Sequence, residues 1–424
     1  MAEALCNPNA TLSVVSAAGN CSLNGGDCGF SDIPTPSCAL FDFVLYTVVG
    51  GTLCAFGLVG NALSFIVLHF GGDHSTKTAA TTLLLRALAV ADSLVLATCL
   101  PLYVLEPLNI YVHHMGSFHH FYMVIMPYLW PLYLMSLTAT ILLTVLVSFH
   151  RYTAVCRPYH SATLSSLSRC QRHVGYVAVA AILYNIPRFF EYRRLDVFCP
   201  TGDGGSRFAA SMHLFTAVGE DRIFRVVYDN VLYFVVMLGG PLLILAFLNA
   251  KLIAALKKRS RKRREMGGVA TTMTGHNQQQ QQQDLTVMLV AVVFVFIVCQ
   301  TPTFVDRIIW AFVDKHQRHC GRWHYYYTAV GDLMVILNSS VNFIVYVLAS
   351  RKFRSNLFAV LREGRCPCTS RRLRTDTWAE PSQRSAGHGL SVTEGMSGFR
   401  LARVSEVVPM ETTEPVRHEE VDVV

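Results

Sequence analysis

Seven long apolar runs, almost free of charge, constrain this 424-residue chain more than any other feature. They lie near 43–70, 79–107, 118–150, 173–192, 226–256, 285–313 and 325–349. A helix needs about 20 mainly apolar residues to cross the hydrocarbon layer of a membrane. Lipid offers backbone groups no hydrogen-bonding partner, so such runs satisfy themselves as helices. Hydrophobic residues reach 52% against 15% charged, far from the balance of a soluble domain. The expected fold is an all-α membrane protein, a seven-transmembrane helix bundle over 43–349. A basic, amphipathic stretch at 350–363 predicts a short eighth helix lying along the membrane surface.

Lys and Arg set the direction of insertion. Residues 1–42 contain neither, whereas Lys257-Lys258-Arg259 and Arg261-Lys262-Arg263-Arg264 crowd the connection after the fifth run. The N-terminus is expected outside and the C-terminus inside, in a multi-pass protein of the plasma membrane. The net charge of +8 then reflects orientation rather than nucleic-acid binding. The connection after the fourth run is also basic (Arg193, Arg194, Arg207, Arg222, Arg225) and argues the other way, but is outweighed. Glycosylation is expected at Asn9 and Asn20, each in an Asn-x-Ser/Thr triplet of the outer N-terminus. Cys6, Cys21, Cys28, Cys38, Cys199 and Cys320 would share an oxidising compartment, so disulfides are expected with their pairing open. Cys366 and Cys368, just past the eighth helix, are palmitoylation sites or unmodified thiols. Gln278 to Gln283 form a flexible linker or a helical extension of the sixth run, and the Ser/Thr-rich tail at 364–424 cannot build a core.

Polar residues inside the runs need reasons. Asp92 sits in the second run, where a carboxylate costs about 2.5–3.5 kcal/mol to insert, so it requires partners. Thr140, Asn338, Ser339 and Asn342 offer hard oxygens that a small cation such as sodium accepts, and a hydrogen-bonded network without an ion is the alternative. His113, His114, His119 and His120 read as interfacial histidines before they read as a zinc site. No nucleophile–base constellation or phosphate-cradling loop supports catalysis, so no enzyme is expected.

Gly60-Asn61, Asp92, His150-Arg151-Tyr152, Pro241, Pro302 and Asn342-x-x-x-Tyr346 place one landmark in each of six runs. With them the chain resembles the rhodopsin-like G-protein-coupled receptors over roughly 43–363. It departs from their usual forms at His150 (an acid), Gln300 (Trp), Phe343 (Pro) and Met126 (Cys), and the fourth run lacks its Trp. Without a cysteine at Met126, Cys199 pairs elsewhere or stays free. Met126-Pro127-Tyr128-Leu129-Trp130-Pro131, the stretch Tyr184–Tyr192 and LNSSVNFIVY are similar to the invertebrate FMRFamide-receptor group. That resemblance implies a short amidated peptide ligand, a heterotrimeric G protein, and arrestin recruited through a phosphorylated tail.

Tyr133 stands where monoamine receptors carry Asp, and Ile336 where opsins carry Lys, so neither chemistry fits. A peptide ending in Arg-Phe-amide needs an anion for its guanidinium and aromatic surface for its Phe. Asp332 is the leading anion and Asp306 the second, followed by Glu106 and Glu191, with local ion pairing (Asp306 with Arg307 or Arg188) the competing explanation. Trp130, Tyr133, Phe190 and Trp310 are the candidate aromatic walls. His150, Arg151, Tyr152, Gln300, Pro302 and Tyr346 form the expected switch towards the G protein, with Pro241 and Pro302 as bend points. A neutral His150 cannot give Arg151 the carboxylate lock an Asp would, which predicts raised basal signalling. A decoy that binds ligand without signalling remains an alternative. A transporter or channel would call for inverted repeats or charged pathways, and neither is found.

Overall fold

The computed structural model describes residues 14–16, 19–21, 36–70, 76–112, 116–157, 166–200, 206–265, 273–310 and 320–363. The chain divides into a unit of residues 1–374 and a unit of residues 375–424. The second unit, Asn9, His113, His114, Cys366 and Cys368 all lie outside the described residues. Asn20 lies in β2 (Gly19–Cys21), which pairs antiparallel with β1 (Val14–Ser16).

The helices follow the apolar runs. Span one covers Ser37–Phe70, span two Ala79–Val112, span three Gly116–Cys156, span four Leu167–Asn185 and span five Phe224–Lys258. Span six covers Thr286–Ile309, and span seven Trp323–Ser340 with Asn342–Ala349. Among the described residues, five helices are long and apolar enough to cross a membrane, and the bent pair of span seven makes a sixth. Span four misses on polarity because Arg169, Arg172 and His173 fill its first two turns. Leu243, Phe294 and Leu348 are two-thirds or more exposed, which in a bundle of this composition is the lipid-facing rim.

Glycine sets the closest contact. A Cβ on Gly57 would come within 2.8 Å of the Ser340 Cα, and one on Gly60 within 2.9 Å of the Phe343 Cβ. Small residues therefore let spans one and seven approach backbone to side chain. At that contact span seven bends by 47° around Val341, although Phe343 stands where a proline would explain it. The helix Arg351–Glu363 returns against the bundle through Phe353 and Leu357, and leaves Phe358 and Leu361 exposed.

Several boundaries differ from the sequence expectation. Span three stays helical through Cys156, so Arg151 and Tyr152 are interior to it. Span four stops at Asn185, and Ile186–Phe190 forms a 3₁₀ turn with Pro187 near its start. The basic connection that follows is a hairpin, with β3 (Tyr192–Pro200) paired to β4 (Ser206–Phe215), a feature absent from the all-α reading. The glutamine run belongs to the helix Met273–Trp310, so it extends span six rather than linking it. A disulfide joins Cys38 to Cys320 across 6.2 Å between Cα atoms, tying span one to the segment before span seven.

The two ends of the bundle are built differently. At the hairpin end the backbone widens into π-helix over Phe43–Gly50, Leu100–Leu105, Phe224–Leu232 and Phe234–Gly239. Such wide turns collect at functional sites.

Candidate functional site

The interior of the hairpin end is aromatic and acidic. Tyr46 of span one donates a hydrogen bond to Asp332 of span seven at 3.1 Å. From Tyr46 a row of rings crosses the bundle: Tyr46 to Tyr103 at 5.8 Å, Tyr103 to Tyr133 at 5.7 Å, Tyr133 to Trp130 at 5.7 Å. Tyr133 is buried, and the Trp130 indole nitrogen is buried with no acceptor. Arg307 of span six supplies the positive field at Asp332, and its guanidinium lies 4.9 Å over the Tyr233 ring. Glu106 borders a cavity of about 210 Å³ between spans one and two, shared with Asp42, Tyr46 and Tyr103. Asp42 accepts from Tyr325 at 2.5 Å and its second oxygen is buried without a partner.

The other expected ligand residues are placed less simply. Asp306 is buried against Thr328 at 2.8 Å and His324 at 3.4 Å, with Arg307 acting on it only through the field and Arg188 paired elsewhere. Glu191 pairs with Arg188 at 2.9 Å, and Arg188 also meets Asp229 of span five at 2.6 Å. Phe190 does not wall the interior: the 3₁₀ turn that buries Arg188 leaves Phe190 61% exposed. The Trp310 side chain lies outside the described residues. Sequence reasoning missed Asp42, Tyr46, Tyr103 and Asp229. Two signals were there, since Asp42 and Tyr46 are one helical turn apart and Asp229 is the lone carboxylate of span five.

Midway along the bundle, Asn342 donates to Asp92 Oδ2 at 2.7 Å. The hydroxyls of Ser339 and Thr140 stand beside the same carboxylate. Neither hydroxyl completes a hydrogen bond, and Asp92 Oδ1 is buried without one. Asn61 donates to the Ser339 carbonyl at 3.0 Å, which holds span one against the bend in span seven. Asn338 is buried on the same helix without hydrogen-bonding Asp92. A carboxylate with one filled and one empty oxygen, flanked by two unengaged hydroxyls, has the donor set of a hard-cation site.

At the far end, Arg151 is 7% exposed and its Nη2 has no partner. Among the described residues no carboxylate pairs with it. His150 is buried, and its ring packs edge-on against His173 of span four at 5.8 Å. Tyr152 is half-buried beside them. Back towards the hairpin end of span six, Gln300 is buried with its amide nitrogen unengaged, and the Pro302 carbonyl accepts from Tyr327 at 3.2 Å. Tyr346 is 1% exposed, packs on Phe353 at 5.6 Å between centroids, and has no partner for its hydroxyl.

A ring-lined, acidic interior, a mid-bundle carboxylate network and an arginine without a described carboxylate partner at the opposite end are a receptor's parts, and no catalytic grouping stands among the described residues. Comparison with known proteins agrees. Residues 60–346 match the 7 transmembrane receptor (rhodopsin family). The FMRFamide peptide receptor frpr-18 of Caenorhabditis elegans is 31% identical over 319 residues, 74% of this chain and 68% of that protein. The FMRFamide receptor of Drosophila melanogaster is 26% identical over 73% of this chain, which spans about half of that protein (52%). Neurotensin receptor type 1 of Rattus norvegicus is 24% identical over 92% of this chain and 95% of its own length. The chain belongs to the rhodopsin family of seven-transmembrane receptors.

Proposed function

We propose that this receptor binds a short, C-terminally amidated peptide at the hairpin end and passes the event to a heterotrimeric G protein at the Arg151 end. The observation that carries the ligand reading is the charge of the aromatic interior. Asp42, Glu106 and Asp332 line it, with Asp306 buried against Thr328 nearby and the Arg307 guanidinium over the Tyr233 ring. A guanidinium or ammonium group on the ligand finds an anion there, and an aromatic side chain finds the row from Tyr103 to Trp130. Two relatives named as FMRFamide receptors support a peptide of the Arg-Phe-amide kind.

In this reading the hairpin end faces outside, with glycans on Asn9 and Asn20, and the tail lies inside, with palmitate on Cys366 and Cys368 and arrestin at a phosphorylated 364–424. Ligand contact shifts a preexisting equilibrium between two bundle arrangements. Asp92, Thr140 and Ser339 would hold sodium in the resting arrangement, where the ion supplies a counter-charge to the carboxylate. Repacking of Asn342 around Asp92 then lets the segment carrying Tyr346 move. Pro302 and the Gly240-Pro241 junction give spans six and five room to bend. Arg151, lacking a carboxylate to leave, meets the G protein without first breaking an ion pair.

The test is a screen of amidated peptides, with Phe-Met-Arg-Phe-amide first, on cells carrying the receptor, read by calcium and cyclic nucleotide. A saturable response to an Arg-Phe-amide peptide is expected. Silence towards amidated peptides alongside a response to a neurotensin-like peptide would overturn the ligand assignment.

A further inference from the structure

Arg86 of span two is a cation that no carboxylate balances among the described residues. Its Nη1 donates instead to Nδ1 of His69 in span one, at 2.8 Å. A guanidinium only donates, so His69 Nδ1 accepts and the ring's proton sits on Nε2. The bond joins two helices and leaves the positive charge uncompensated. It also stands open to the surroundings, because His69 is exposed and Arg86 is half-buried.

The position of the pair narrows what can meet it. Leu84 and Leu85, just before Arg86, share a buried cluster with Val67, Val147, Tyr346 and Phe353. The pair therefore lies at the Arg151 end, outside the helices whose inner side holds Tyr346. Arg86 precedes Asp92 by six residues, about 9 Å along a helix. Half the hydrocarbon layer is about 15 Å, so the Arg86 backbone lies within it. Towards the middle of the bundle the neighbouring faces are apolar and exposed. Val90 and Leu94 stand one and two turns beyond Arg86 on its own face of the helix. Phe65, also exposed, stacks on the His69 ring at 6.1 Å.

A solitary arginine near a helix end turns its head to water, which accounts for the depth but not for the bond. The tie to His69 instead fixes a guanidinium beside an imidazole N–H, two donors from two helices, above a strip of apolar surface. A phosphate head group is the anion that a membrane supplies at that level, and basic sites between helices take anionic lipids. We propose that His69 and Arg86 hold the head group of an anionic phospholipid whose acyl chain lies along Phe65, Val90 and Leu94. Bound there, the lipid ties the ends of spans one and two together behind the cluster that contains Tyr346. The site does not depend on the peptide reading. The Arg151 end facing the anionic inner leaflet, as proposed above, decides only which cellular lipid is at hand.

The experiment uses the full receptor purified in a neutral detergent, so that direction of insertion plays no part. It is titrated with phosphatidylserine, phosphatidylcholine or inorganic phosphate, and bound lipid is counted by native mass spectrometry. Phosphatidylserine should bind about fivefold more tightly than phosphatidylcholine, the size of one added basic contact at a membrane surface. Arg86→Gln should bring the two lipids within about twofold, while Arg86→Lys keeps most of the preference. A phosphatidylserine with a photoreactive acyl chain should label the wild-type peptides carrying Phe65 and Val90, a readout that needs no variant. Inorganic phosphate should neither bind at lipid concentrations nor displace the lipid. Equal binding of the two lipids, or a preference that survives Arg86→Gln, would overturn the site. Labelling confined to other helices, or phosphate binding as well as the lipid, would overturn it too.

Discussion

The hairpin half and the Arg151 half of this bundle treat buried charge in opposite ways. At the hairpin end Asp332 is held by Tyr46, Asp306 by His324 and Thr328, and Arg188 by two carboxylates, while one Asp42 oxygen and the Trp130 indole nitrogen stay open. Its helices widen into π turns and its surface carries a tethered hairpin. At the other end Arg151 has no carboxylate partner among the described residues, and the Tyr346 hydroxyl is unengaged. Buried polar groups left open are unfavourable by roughly 1–3 kcal/mol each. Such openness makes a second arrangement that fills them accessible. The hairpin end pairs its buried arginine with carboxylates, the other end leaves its arginine without one among the described residues, and Asp92 with Asn342 stands between them.

The comparison breaks most readily at Asp332. Replacing it with Asn should weaken an Arg-Phe-amide agonist by about 30-fold or more, the loss typical of a buried charge partner. Asp306→Asn should weaken it far less, because Asp306 is occupied by Thr328 and His324. Concentration–response curves check both, and equal losses would mean the acidic end acts as a diffuse field. Next in size is Gly60→Ala, whose Cβ would meet Phe343 at 2.9 Å. Overpacking of about 1–3 kcal/mol should lower the apparent Tm of the detergent-purified receptor, with agonist affinity less affected than stability.

Smaller effects test the middle and the far end. Raising sodium should lower agonist affinity about fivefold in the wild type, since an ion at Asp92 would favour the resting arrangement. Asp92→Asn should abolish that dependence in a radioligand titration. A sodium effect that survives the substitution would locate the ion elsewhere. His150→Asp would give Arg151 an adjacent anion and should lower ligand-free second-messenger output by about fivefold, near 1 kcal/mol. No fall at equal surface expression would mean that the unpaired arginine does not set basal activity.

Much of the architecture was legible in the sequence because membrane helices are written in long uncharged runs, and the lone polar residues stood out against them. Asp92, Asn342 and Tyr346 drew attention for that reason, and the structure joins spans two and seven through the Asn342–Asp92 hydrogen bond. The hairpin was not legible. Its strands alternate weakly, and arginines that look like a solvated loop are in part paired within it, as Arg194 is with Asp196 at 2.7 Å. Nor was the contact between Arg188 and Asp229, because they are 41 positions apart and each reads alone as an interfacial charge. Phe190 misled because aromatic character says nothing of direction, and a 3₁₀ turn after Pro187 aims it outward. The 47° bend of span seven without a proline was equally hidden, since the groups that meet beside it, Asn342 with Asp92 and Ser340 with Gly57, belong to three different spans.

The central claim is that Asp332 receives the ligand's guanidinium. The direct measurement is a double-substitution cycle, pairing wild type and Asp332→Asn with Phe-Met-Arg-Phe-amide and the analogue whose Arg is replaced by uncharged citrulline. Citrulline should weaken binding about 30-fold on the wild type and less than about threefold on Asp332→Asn, a coupling of the size seen for close charge pairs. Equal losses on both receptors would contradict the assignment and place the guanidinium on another carboxylate.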